Sequence, residues 1–223
     1  MKKLIVFGAG GFGREFMFLA EAGRYRSYPF EEHEILGFVD DTPELAGQVV
    51  NGYPVLGDSE WLKAYPEPVD VFLCVGIPSA RKAIYENLSV NKNLSFPPYI
   101  ASEVLVAPST EIGEGAFIAM FTVLTINTKV GRFVHIHGNN SIGHDCVLED
   151  FCTLYSKVNI SGYTHVCEGA EIYSSVTTVP HITVGKNTKV AACACVTKDL
   201  PDNCLAAGVP AVIKKYFDTE PKN

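Results

Sequence analysis

The sequence predicts two domains of different class, a small α/β lobe followed by an all-β parallel β-helix of hexapeptide units. Three observations carry this expectation. From Ile100 onward every sixth residue is a large aliphatic, through Val106, Ile112, Ile118 and Leu124 to Val190 and Val196, and Thr178 is the one exception in seventeen positions. Four residues after each beat runs a second column, from Thr110 through Cys146 and Cys152 to Ala194, that is nearly all small or β-branched. Ahead of the repeat, Gly8-Ala9-Gly10-Gly11-Phe12-Gly13 lies between a strand-like and a helix-like segment.

Lys3 to Phe7 is a short buried strand, and a helix from Arg14 to Ala22 follows the glycines. In that setting glycines allow a tight turn and a close backbone approach, and the helix N-terminus favours a phosphate. A second strand, Glu34 to Val39, ends in Asp40-Asp41, where an acidic side chain suits a ribose or a base edge. Asn51-Gly52 predicts a hairpin turn between Val49-Val50 and Tyr53 to Leu56. Asp58 or Ser59 caps a short helix carrying Trp61, Val69 to Val75 is a further buried strand with Gly76 at its carboxyl end, and Pro78 starts a helix through Leu88. Phe96-Pro97-Pro98 leads out of the domain. The expected division is 1–98 for the lobe, 99–215 for the coil and 216–223 for a tail. Fewer than a hundred residues before the repeat leave no room for a separate hydride-transfer domain, so a dinucleotide reductase is disfavoured.

A period of six fits neither a helix nor an alternating strand. Three hexapeptides close one eighteen-residue triangular coil, so residues eighteen apart stack at roughly one strand spacing, about 4.8 Å. The large aliphatic fills the interior and the small residue packs where the wall turns.

The formal net charge of -7 argues against nucleic acid as a partner. Lys186, Lys189, Lys198, Lys214, Lys215 and Lys222 concentrate base near the end, either as solvated surface or as a docking face for a phosphate-rich cofactor. No apolar run is long enough to span a membrane. The start, Met1-Lys2-Lys3-Leu4, does not read as a secretory signal. Seven cysteines, with Cys146, Cys152, Cys193 and Cys195 in or beside the small-residue column, read as buried fillers of a reduced, cytoplasmic protein. Cys193-x-Cys195 is too closely spaced for the usual metal pair, and no metal is expected.

The chemistry points to Gly143-His144-Asp145. Ile142 and Cys146 face inward, which leaves His144 and Asp145 on an outward corner. An imidazole beside a carboxylate suits a general base. Eighteen residues on, Gly162 stacks over His144, and its unobstructed N–H suits an oxyanion. His33, His135, His137, His165 and His181 read as surface or packing residues, and His144 with His181, 37 apart, does not complete a trimeric metal-ligand set.

Nearly all of residues 1–215 resembles the hexapeptide-repeat sugar acetyltransferases, of the sialic acid O-acetyltransferase and nucleotide-aminosugar N-acetyltransferase types. The motifs that carry the resemblance are Phe7 to Gly13, Val39-Asp40-Asp41, Val75-Gly76, Gly143 to Cys146, and Ala207-Gly208-Val209-Pro210-Ala211. It implies a small Rossmann-like lobe and a left-handed β-helix. It also implies acetyl-CoA as co-substrate, direct transfer, and a homotrimer with the groove between neighbouring coils. By resemblance His144 is the base, Asp145 its acidic neighbour and Gly162 the oxyanion position. Gly10, Gly11, Phe12, Asp40, Asp41 and Gly76 match positions that hold the nucleotide of an activated sugar, and Thr153, Ser174 and Ala192 match the acetyl-CoA groove. His137 stands near the acceptor where the aminosugar enzymes tend to have Asn, and Thr153 stands where some members have His. The reaction implied is N-acetylation of a nucleotide-linked aminosugar. O-acetylation of a sialic acid or related sugar is the alternative, and a non-catalytic nucleotide-sensing module is the reading from another class.

Overall fold

The computed structural model describes residues 2–27 and 32–217. Met1, Lys222 and the part of the expected tail from residue 218 on lie outside them. The chain divides into two compact units, Met1–Ser102 and Glu103–Asn223, four residues later than the division expected at 98.

The first unit is built on strands β1 (Lys2–Phe7), β2 (Tyr25–Ser27), β3 (His33–Val39), β4 (Val49–Val50), β5 (Tyr53–Gly57), β6 (Val69–Leu73), β7 (Leu94–Ser95) and β8 (Tyr99–Ala101). Its helices are α1 (Gly11–Glu21), α2 (Ser59–Lys63) and α3 (Pro78–Leu88). One sheet runs β4-β5-β3-β1-β6-β7. β1 pairs in parallel with β3 and β6, and only β4 runs antiparallel to its neighbour β5, across the Asn51-Gly52 turn. β2 pairs with β8 in antiparallel fashion, outside this sheet. β1 and β6 are buried almost throughout, as expected of parallel strands covered on both faces. Helix α1 starts three residues before the expected Arg14, inside the glycine cluster, because extended Gly10 serves as its N-cap. Asp58 caps α2 by accepting from the Trp61 N–H at 2.9 Å.

The second unit is the expected coil. Two-residue strands recur every six residues from Leu105–Val106 to Cys195–Val196, and each ends on its beat residue, aliphatic in all but Thr178. Pairings among these two-residue strands join residues eighteen apart, as Ser141 with Asn159 or Lys129 with Val147, and only the last turn shortens to sixteen, as Lys189 with Leu205. The strands form three flat walls, called here the first (105–106, 123–124, 141–142 and onward), the second (111–112, 129–130, 147–148 and onward) and the third (117–118, 135–136, 153–154 and onward). Ile118, Ile136, Leu154, Ile172 and Val190 stack at 0 % exposure. Each such side chain contributes roughly 1.5–3 kcal/mol by leaving water. The second column is buried as well, including Thr122, Asn140, Thr164 and Thr188. These polar members point at corner carbonyls. Thr164 Oγ1 donates to Ser161 O at 2.7 Å and Asn140 Nδ2 to His137 O at 2.6 Å.

A third column appears that the sequence reading did not isolate. Three residues after each beat, from Gly115 and Phe121 through Asn127, Asp145 and Tyr163 to Cys193, the backbone is left-handed, with φ between 52° and 69°. This is the residue that turns the wall. The coil closes with a hairpin of Cys204–Ala207 and Val212–Tyr216, whose turn is the Ala207 to Ala211 motif and includes a cis Val209-Pro210 bond. Tyr216 therefore belongs to a strand and not to a tail.

Two expectations about the cysteines separate. Cys146 and Cys152 are buried fillers, but Cys193 is exposed and Cys195 half-buried, because Cys193 occupies the left-handed corner and projects outward. All seven are free. Among the described residues no helix is long and apolar enough to cross a membrane.

Candidate active site

In the first unit the candidate nucleotide residues gather at the carboxyl ends of β1, β3 and β6, where open α/β sheets bind ligands. Gly8 N–H donates to Val39 O at 2.7 Å and Cys74 N–H to Phe7 O at 2.8 Å, so the three strand ends are laced together. Gly8 has φ +104°, and a Cβ on Gly13 would stand 1.8 Å from Gly8 O, so both glycines are demanded by the close approach of turn and helix. Gly10, Gly11 and Gly76 meet no atom within 4 Å of an added Cβ and leave the mouth open. Phe12 sits half-buried, edge-on to Phe72 at 6.1 Å.

Asp40 is more constrained than the sequence implied. Its Oδ2 accepts from Ala9 N–H at 2.7 Å and its Oδ1 from Thr42 N–H at 2.9 Å. Burial pushes this carboxyl up, yet the hydrogen bonds from Thr42 and Ala9 outweigh it and hold the group below its ordinary range. Asp40 thus pins the glycine loop, and Asp41, which is exposed, accepts from Ser59 N–H at 2.7 Å. Sequence reasoning missed Arg81. Its fully buried guanidinium donates to Val75 O at 2.7 Å and shapes the loop that carries Gly76.

In the coil, His144 and Asp145 stand on the corner between the first and second walls. His144 Nδ1 and Asp145 Oδ2 are 2.8 Å apart, with half of the imidazole exposed. Asp145 Oδ1 accepts from Asn127 Nδ2 at 2.9 Å. Hydrogen bonds from Asn127, then His144, hold the Asp145 carboxyl below its ordinary range. With Nδ1–H given to Asp145, Nε2 keeps its lone pair. That nitrogen lies against Gly162, where a Cβ would come within 2.7 Å of Nε2 and of Cε1. The stack therefore brings His144, Asp145 and Gly162 together.

The remaining predicted residues lie elsewhere on the coil. His137 sits on the corner between the third and first walls, stacked on Tyr155 at 5.4 Å, and Tyr155 stacks on Tyr173 at 4.8 Å. Ser174 and Ala192 share that corner one coil apart, half-buried and exposed. Thr153 does not join them. It lies on the third wall between His135 and Glu171, fully buried, so its side chain is closed to a ligand in this chain. The stack also assembles Glu149, His165 and Cys167, with one ligand atom each within 4.8 Å. His165 Nε2 and Glu149 Oε1 are already paired there at 2.8 Å, and Glu149 Oε2 accepts from Glu168 N–H.

Residues 3–88 match the family model described as the PglD N-terminal domain. The chain is 29% identical over 169 residues to the GDP-perosamine N-acetyltransferase of Escherichia coli O157:H7, covering 76% of this chain and 74% of that one. Among solved structures, the acetyltransferase domain of PglB from Neisseria gonorrhoeae FA1090 in complex with acetyl coenzyme A is 30% identical. It aligns over 95% of this chain and 98% of its own, with TM-score 0.83. PerB from Caulobacter crescentus, solved with CoA and GDP-perosamine, is 26% identical over 96% and 98%, also with TM-score 0.83. The chain belongs to the hexapeptide-repeat nucleotide-aminosugar N-acetyltransferase family, with its Rossmann-like lobe and left-handed β-helix. It is an acyltransferase.

Proposed function

We propose that the chain N-acetylates a nucleotide-linked aminosugar, with His144 as general base and direct transfer from acetyl-CoA. The observation that carries this reading is the His144–Asp145 pair set against Gly162. The acceptor amine attacks the thioester carbonyl and its proton passes to His144 Nε2. Negative charge develops on the carbonyl oxygen, and the N–H of Gly162, the residue that lies against the imidazole and whose N–H has no acceptor among the described residues, would donate to it. Collapse breaks the C–S bond, and the proton held on His144 goes to the departing thiolate. Asp145 keeps the imidazole in one tautomer and steadies its charged form.

The lobe would receive the nucleotide at Gly10, Gly11, Phe12 and Gly76, on a loop braced by Asp40 and Arg81. Ser174 and Ala192 would line the acetyl-CoA groove, and His137 would face the acceptor. We read the active form as a cyclic homotrimer. Ile126 and Tyr163, 57 % and 51 % exposed, flank His144 on the coils to either side, an apolar surface that a neighbouring coil would cover. The donor and the free thiols suit the cytoplasm.

The test is CoA-thiol release from acetyl-CoA with UDP-, GDP- and dTDP-linked 4-amino sugars and with free and CMP-linked sialic acids. Turnover on an amino sugar supports the reading and identifies the nucleotide. Turnover on hydroxyl acceptors alone replaces it with O-acetylation. Light scattering that finds an active monomer sinks the trimer.

A further inference from the structure

The left-handed corner column passes directly through the catalytic pair. Asn127, Asp145, Tyr163 and His181 occupy it on successive coils, with φ of 58°, 58°, 60° and 61°. Each projects outward one strand spacing from the next, about 4.8 Å. A carboxylate on so short a side chain, 30 % exposed, would turn readily in water. Here its two oxygens are claimed by different donors, Oδ1 by Asn127 Nδ2 at 2.9 Å and Oδ2 by His144 Nδ1 at 2.8 Å. Two bonds from opposite sides set the plane of the carboxylate and, through it, the direction of the imidazole. Asn127 is itself held from the coil below, where its backbone N–H donates to Ser109 Oγ at 2.9 Å.

The left-handed backbone alone does not explain an asparagine. Equivalent corners hold Asn139 and Asn187 but also Phe121, Phe133, Phe151, Lys157, Ser175 and Cys193, so this backbone admits an asparagine without requiring one. Three side chains that favour the left-handed region serve position 127 differently. Asparagine supplies a neutral donor to Asp145, aspartate would repel it, and glycine would accept the backbone with no donor.

We infer that Asn127 is a positioning residue for catalysis, acting on the base through Asp145. The inference rests on the reading of His144 as the base. That Asn127 heads the causes holding the Asp145 carboxyl low agrees with it. The titratable groups facing the imidazole are Asp145 on its own corner, Tyr163 edge-on one coil above at 5.1 Å, and His181, which stacks on Tyr163 at 4.7 Å.

The experiment compares wild type, Asn127→Gly, Asn127→Asp and His144→Ala as full chains, with the acceptor that the CoA-release panel identifies. kcat, KM for acetyl-CoA and the pH profile of kcat/KM are measured for each. Asn127→Gly keeps the backbone its φ requires and is expected to lower kcat about tenfold, with KM for acetyl-CoA within about twofold. Asn127→Asp sets a second carboxylate beside Asp145 and favours the protonated imidazole, so the acid limb is expected to move up by about half a pH unit or more. A wild-type kcat in Asn127→Gly, or an unmoved acid limb in Asn127→Asp, overturns the inference while His144→Ala stays inactive. Should the glycine variant unfold, the acid limb of the aspartate variant decides alone. Full turnover in His144→Ala instead removes the base from under the whole reading.

Discussion

A side chain on Gly162 would strike the ring of His144, for a Cβ built there lies 2.7 Å from both Nε2 and Cε1. The two residues are one coil apart, and nothing intervenes between the imidazole edge and the Gly162 backbone. Gly143 is packed as tightly, since its Cβ would meet the Gly162 nitrogen at 2.6 Å.

Gly162→Ala therefore displaces the base without altering its chemistry. Because Gly162 has a φ that any residue adopts, the fold should persist. A misplacement near 1 Å lowers kcat by about a hundredfold. Steady-state turnover together with an unchanged melting temperature checks this, and wild-type turnover would place the reacting atoms elsewhere.

His144→Ala removes the proton acceptor and should reduce CoA-thiol release by about a hundredfold or more. Binding of acetyl-CoA, followed by calorimetry, should change little, because the half-exposed ring contributes to no packed core.

Gly13→Ala tests the lobe. The added methyl would lie 1.8 Å from Gly8 O, a backbone atom that cannot swing aside. Overpacking of this kind costs about 1–3 kcal/mol, so thermal unfolding of the lobe should come several degrees lower. An unchanged melting temperature would mean that the turn has slack the structure does not show.

Asp70 gives a pH dependence of stability. His33 Nε2 is 2.7 Å from its Oδ2, Ser95 Oγ donates to its Oδ1, and Asp70 is 3 % exposed. Burial pushes the carboxyl up, but the hydrogen bonds from His33 and Ser95, with the charges of His33 and Lys2, bring the net shift below the ordinary value. A depressed carboxylate stabilises the fold above its unfolded pKa of about 3.9, and that stability is lost as pH falls through the lower folded value. Urea unfolding should therefore show stability dropping below about pH 4, less steeply in Asp70→Asn, which should also be about 1–3 kcal/mol weaker at pH 7. Equal slopes for the two proteins would refute the assignment.

The period of six made most of the coil legible. Once Ile142 and Cys146 were read as interior, His144 and Asp145 had to lie on a corner and Gly162 had to stack on His144. The same arithmetic reaches Asn127, eighteen residues before Asp145, but its amide carries no signal until the carboxylate is seen to need a second donor. The left-handed column was harder to read. Gly115, Asn127 and Asn139 fit it, yet Phe121, Phe133, Phe151 and Tyr163 do not favour positive φ. Their local penalty, roughly 1–2 kcal/mol each, is offset by stacking that no local rule sees, such as Phe133 on Phe151 at 5.4 Å. In the lobe, the motif marks the glycines and Asp40 as a candidate nucleotide site, whereas the tie from Asp40 to Ala9 N–H depends on β1 and β3 lying side by side.

The sequence by itself determined the two domain classes, the eighteen-residue stack and the meeting of His144, Asp145 and Gly162 on one corner, because a backbone repeat dictates which residues are neighbours. Only the tertiary structure decided which way those neighbours face. Thr153 is sealed in a wall, Cys193 is turned out on a corner, Asp40 is spent on its own loop, and Glu149 meets His165 and Cys167. Each of these depends on what the adjoining strand or coil presents, and a period carries no record of that.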